Sequence, residues 1–120
     1  SVVTFPVNAA PSMTFSDQEA ADGMIRIDSA LMDAFGWMVI HSSVDGRPGP
    51  VLGYTALRPG VNSNIAIEVD PAQAGTQVFP MLHYDTNTMG VYEFGTVEGA
   101  DVPVSVGVAV VVAPMAIPGA

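Results

Sequence analysis

The sequence predicts an all-β protein: one domain of eight to nine antiparallel strands in two packed sheets, with an N-terminal strand as an arm. Two observations carry this. Short β-branched or aromatic runs bounded by Gly, Pro, Asn or Asp recur about every ten residues, the pattern of a sandwich or barrel. No stretch keeps a 3.6-residue apolar period for three turns, so amphipathic helices are not expected. The length of 120 residues suits a single core, since two domains would each be too small to bury enough surface.

Taken in order, strands are predicted at residues 1–7, 12–16, 23–31, 36–43, 50–57, 62–69, 76–85, 90–95 and 102–115. Between them VDGRPGP, LRPGV, VDPAQAG and DTNTMG read as turns, where Gly and Pro supply the special backbone angles. The segment SDQEAADG, with Ser16 or Asp17 as a cap and Gly23 as a stop, reads as a turn or a short helical loop. Alternation sorts the faces: in residues 23–30, Met24, Arg26 and Asp28 interleave with Ile25, Ile27 and Ser29, giving one buried and one wet face. Arg26 on the wet face is placed for a cross-strand ion pair, whereas Arg47 and Arg58 lie at turn tips.

Composition excludes several classes of function. The chain has no cysteine, which removes disulfides, thiolate metal sites, iron–sulfur clusters and cysteine nucleophiles. It has no lysine either, so Schiff-base chemistry and a Walker-type phosphate loop do not occur. Three arginines face twelve carboxylates, a formal net charge of −9 that repels nucleic acid and anionic membrane surfaces. Pro103, Pro114 and Pro118 interrupt the apolar C-terminus, and no basic flank accompanies it, so a spanning helix is not expected. Ser1 begins directly on an apolar run, which suggests a mature product released from a secretory signal.

Only 12% of residues are charged, while 49% are hydrophobic. That is about half the usual charged share of roughly a quarter, so partners are expected to cover part of the surface. Two segments are the candidates for such contacts. Residues 107–113, GVAVVVA, do not alternate; a strand apolar on both sides, with Val108, Val110, Val111 and Val112, requires cover on both sides, its outer face by a loop or by another subunit. At the other end, residues 1–11 form an apolar strand, with Val2, Val3, Phe5 and Val7, tethered by NAAP to a body spanning 12–120. Such a strand pairs with its own sheet or is donated to the open edge of another copy.

Asp17 and Gln18, Asp22 and Gly23, GWMVIH at 36–41, PGPVLGYT at 48–55, LHYDT at 82–86, GVYEF at 90–94 and DVPV at 101–104 occur in an order and spacing that resembles a known family. The family is an uncharacterised extracellular β-domain of archaeal and bacterial surface proteins, often in tandem copies. The resemblance covers roughly residues 13–115 and implies a secreted Ig-like sandwich without an established enzyme activity. This chain departs from the tandem format as a single unit with an extra N-terminal arm.

The densest collection of functional side chains lies in LHYDTNTMGVYEF. Asp85, Asn87 and Gly90 match the start of a calcium loop, but Met89 stands at its fifth position and no glutamate at its twelfth. The alternative is a hairpin whose Asp85 and Asn87 bond local amides while Gly90 takes a positive φ. His41 and His83, each on a predicted strand, join Asp85 or Asp45 as zinc or copper ligands if their strands are neighbours. Otherwise each imidazole satisfies a carbonyl or carboxylate where a strand ends. The seven methionines are scattered singly, which suits core filling. No serine lies in a nucleophile elbow, and paired acids lack a deep aromatic cleft, so no enzyme and no cofactor are expected.

The function expected from these features is a secreted, non-enzymatic structural subunit of the cell surface. It would assemble with itself into a filament or pilus-like fibre by strand donation. The alternative is a cell-envelope binding module for calcium, copper, zinc or a surface glycan.

Overall fold

The computed structural model describes residues 10–119. Nine strands and one helical turn succeed one another: β1 (Ser12–Thr14), β2 (Met24–Met32), β3 (Gly36–Val44), β4 (Arg47–Leu57), β5 (Gly60–Glu68), α1 (Pro71–Ala74), β6 (Gln77–Tyr84), β7 (Ser105–Val106), β8 (Ala109–Val110) and β9 (Met115–Ala116). They form a three-stranded sheet in the order β1-β2-β5, a four-stranded sheet in the order β4-β3-β6-β9, and the small hairpin β7-β8. All the ladders are antiparallel. The predicted all-β sandwich is the fold.

Local chemistry explains the connections. Asp45 and Gly46 both take positive φ, 54° and 74°, as a two-residue hairpin turn of the twist-compatible kind requires. The turn is thus shorter than predicted, and Arg47 to Pro50 already belong to β4. At the passage from β4 to β5 the chain changes sheet. Asn62 holds the corner by accepting from the Arg58 amide at 3.0 Å and donating to the Arg58 carbonyl at 2.8 Å. Asp70 caps α1 through the Ala72 amide, with Pro71 at the first helical position, a helical turn where a plain turn was predicted. No helix forms over 16–23; there Gln18 bonds both backbone groups of Arg26, with its Oε1 accepting from N–H and its Nε2 donating to C=O.

The main core lies between the two large sheets. Ile25 and Ile27 on β2 and Ile65 and Ile67 on β5 meet Met38 and Ile40 on β3 and Val78 and Leu82 on β6. The predicted alternation on β2 holds through Ile27; the inward phase then slips by one, to Ala30 and Met32, past a point opposite Asn64, whose φ is 52°. Arg26 pairs with Asp22, four residues before it, at 2.9 Å; the expected cross-strand pair is replaced by this exposed one.

The two-sided burial predicted for the C-terminal valines belongs instead to β3 and β6. Residues 36–41 and 78–83 are buried without interruption. One face of these strands meets the core; the other carries Trp37, Val39, His41, Phe79, Met81 and His83 and lies beneath the chain from 85 to 114. The predicted strand 90–95 is a series of turns within that cover. The predicted strand 102–115 is divided into β7, a turn with Gly107 at φ 64°, β8 and β9. Isolated bridges tie it to β6, His83 to Pro103 and Met81 to Val112. Val108 is fully exposed and Val110 is 40% exposed, while Val111 and Val112 are half-buried. Placed at a turn and on a short ribbon, these valines do not make one strand with two covered faces. The predicted N-terminal strand, with Val2, Val3, Phe5 and Val7, lies outside the described residues.

Candidate functional site

His41 and His83 stand on the covered face of the four-stranded sheet, His41 near the end of β3 and His83 near the end of β6. A strand pair alone would leave them apart, since His41 is registered with Phe79 and His83 with Trp37. The two side chains share a face of neighbouring strands and reach toward each other along the sheet, which brings the rings together. Their Nε2 atoms are 3.2 Å apart, and both rings are buried. The planes differ by 18°.

The far nitrogen of each ring is fixed by a carbonyl. Nδ1 of His41 donates to Gly49 O at 2.8 Å, and Nδ1 of His83 donates to Asp101 O at 2.7 Å. A carbonyl only accepts, so each Nδ1 carries hydrogen. Burial lowers the pKa of both rings from the ordinary imidazole value, that of His83 to about 4, while the carbonyl bonds act the other way.

Aromatic rings enclose the pair. Phe94 meets His83 edge-on at 4.6 Å between centroids, and Tyr92 stacks on Tyr54 at 4.0 Å. Trp37 abuts both tyrosines at 5.6 and 5.5 Å in T-shaped contacts. Burial above all raises the Tyr92 phenol to about 12, so it stays neutral across the physiological range. The Trp37 Nε1, the Tyr92 hydroxyl and one oxygen of Asp85 are buried without a hydrogen-bond partner among the described residues.

Asp101 organises the cover. Fully buried and itself at φ 52°, it accepts from the Thr86 amide at 2.7 Å through one carboxylate oxygen and from the Glu93 amide at 2.5 Å through the other. Its own amide donates to Thr86 Oγ1 at 2.8 Å. Glu93 in turn accepts from the Thr88 amide at 2.9 Å and from the Asn87 side chain at 3.1 Å. Asp85 accepts from the Gly90 amide at 2.8 Å, and Gly90 takes a φ of 80°. The structure thus gathers His41 and His83 but sets Asp85 and Asn87 to loop building. Among the described residues no three His, Asp or Glu side chains group as metal ligands. Sequence reasoning missed Asp101 and Glu93: acids inside DVPV and GVYEF give no local sign that they bind amides of distant residues.

A family model for a domain of unknown function, DUF7282, matches residues 11–117. The chain belongs to this family. The DUF7282 match spans β1 to β9, so the histidine pair and the whole cover lie within the family's domain. No curated protein and no solved structure matches the chain. Among the described residues of this DUF7282 domain, no helix is long and apolar enough to cross a membrane.

Proposed function

We propose that this DUF7282 domain is a secreted, non-enzymatic structural subunit of the cell surface that associates with itself into a filament through donation of its N-terminal strand. The observation that carries the reading is the apolar strip at the β7-β8 hairpin. Val106 and Val110 are 41% and 40% exposed, and Val108 projects fully. Val106 and Val110, with Ala109, border a shallow groove whose other wall is Ala10 to Met13. That wall runs into β1, a three-residue strand whose only sheet partner among the described residues is β2. An apolar ribbon and a short strand at the end of its sheet are features that a donated strand with Val2, Val3, Phe5 and Val7 can use together. The low charge of the chain acts in the same direction, since few charges oppose burial of that surface between copies.

The test combines size-exclusion chromatography with negative-stain electron microscopy of three proteins: the full chain, a chain lacking residues 1–9, and Val108→Asp. The reading expects large regular assemblies of the full chain, and their loss in both variants while each keeps a β-type circular dichroism spectrum. Filaments that persist in the truncated chain would remove strand donation.

A further inference from the structure

The two buried imidazoles face each other in a way that assigns a proton. Their ring centroids are 5.4 Å apart and their Nε2 atoms 3.2 Å, and the difference, 5.4 − 3.2 = 2.2 Å, is about the sum of two ring radii. Each Nε2 therefore points almost along the line joining the rings. Because both Nδ1 atoms are committed as donors to Gly49 and Asp101, two neutral rings would direct two Nε2 lone pairs at each other. Two imidazolium rings would oppose two N–H groups and two charges. One proton between them makes an N–H···N hydrogen bond, and 3.2 Å lies in the hydrogen-bond range of about 2.7–3.2 Å. A metal ion in line would need the nitrogens about 4 Å apart, twice an ordinary metal–imidazole bond.

Charge balance supports the same count. Among the described residues the only ion pair is Arg26 with Asp22, at the surface, and the chain has no lysine. The buried carboxylates of Asp101 and Glu93 have amide donors but no cation of that kind. The titratable groups on elements packed against the pair are Asp101, Glu93, Asp85, exposed Glu98 and the neutral phenol of Tyr92 on the cover, Tyr84 on β6, and Tyr54 and exposed Arg47 on β4. The pair is the one buried group here that can be positive, and it already bonds Asp101 through its carbonyl.

We propose that His41 and His83 share a single proton across their Nε2 atoms, and that this imidazole–imidazolium pair is both counter-ion to Asp101 and a pH-sensitive latch holding the cover to the sheet. The hydrogen bonds then run unbroken from Gly49 C=O through His41 and His83 to Asp101 C=O, joining β4, β3, β6 and the cover. Removing the proton sets lone pair against lone pair; adding another sets charge against charge. Either change loosens Asp101, and with it the Thr86 and Glu93 amides that it holds.

The composition makes the alkaline limb readable. With no cysteine or lysine, the N-terminal amine is the only other group with an ordinary pKa between about 6.5 and 9. Burial lowers the pKa of both rings, but the shared Nε2–H···Nε2 bond opposes it for one proton. The folded pair therefore keeps a proton that the unfolded histidines lose above about pH 6.5, and stability falls as pH rises. The experiment follows the Tm of the full chain from pH 6 to 9 in EDTA, beside His41→Gln, whose amide donates to His83 with no proton to lose. Nitrogen-15 NMR of the wild-type imidazoles at pH 7 accompanies it. The expected results are a fall of about 5 °C for the wild type, a flat profile for His41→Gln, and one hydrogen shared between the two Nε2 sites. A flat wild-type profile with both Nε2 atoms bare would overturn the proposal. So would stabilisation by zinc or copper that EDTA reverses and His41→Gln abolishes, because a metal would then occupy the gap.

Discussion

At the scale of single residues, burial and pairing oppose each other at His83. Its ring gives up solvent and gains a carbonyl, and burial wins: the folded pKa is about 4 against 6.5 for the free side chain. Between those values the two histidines bind two protons in the unfolded chain and one in the folded pair. The stabilisation is therefore complete above about pH 6.5 and is lost as pH falls toward 4, amounting to about 3 kcal/mol. Urea titrations at pH 7 and pH 4.5 check this: the wild type should lose stability, and His83→Gln should lose markedly less between the two pH values. This acid limb is the entry of the second proton into the pair. The sequence offers the two histidines as partners only on the condition that their strands are neighbours. Forty-two positions separate the two histidines, and their contact depends on the pairing of β3 with β6, which no local residue pattern announces.

At the scale of elements, backbone approach decides what is tolerated. Gly53 on β4 lies so near β5 that an added Cβ would stand 2.2 Å from Glu68 O. The obstacle is backbone, which cannot swing aside as a side-chain tip does. Gly53→Ala should cost about 2–4 kcal/mol, measured as a lower urea midpoint with an unchanged slope; a loss below about 0.5 kcal/mol would show that β4 and β5 can part freely. Sequence pattern read the elements well where chemistry is local. Ile25 and Ile27 alternate with polar partners, and the Asp45-Gly46 step supplies a hairpin turn. It failed at the valines of 107–113, because β propensity reports side-chain character and says nothing about what covers the strand. Val108 is at a turn, and the strands buried on both faces, β3 and β6, hide that status behind His, Trp and Pro.

At the scale of the whole molecule, the first and last parts of the domain are joined. The Gln18 amide donates to Ala116 O at 3.1 Å, and the Ala116 amide donates to Asp17 Oδ1 at 2.9 Å. Beside this junction Met115 and Ile117 are buried in the main core. Asp17→Ala leaves one amide without its side-chain acceptor at an exposed position and should cost about 1 kcal/mol. Removing residues 115–119 takes out two core side chains and β9, and should abolish the sharp thermal transition; a cooperative melt in the shortened chain would show that β9 is dispensable. The sandwich was legible because turn signals divide the chain regularly, but the closing of the cover was not, since it is built from irregular backbone held by Asp101 and Glu93. That cover also sets the order of events during synthesis. The ribosome finishes β3 well before, and β6 just before, the segment that will shield their outer face, so half of their apolar surface stays open until residues 85–114 emerge. A domain arranged in this way is expected to complete its folding late, and its nascent form to be more prone to aggregation than its folded form.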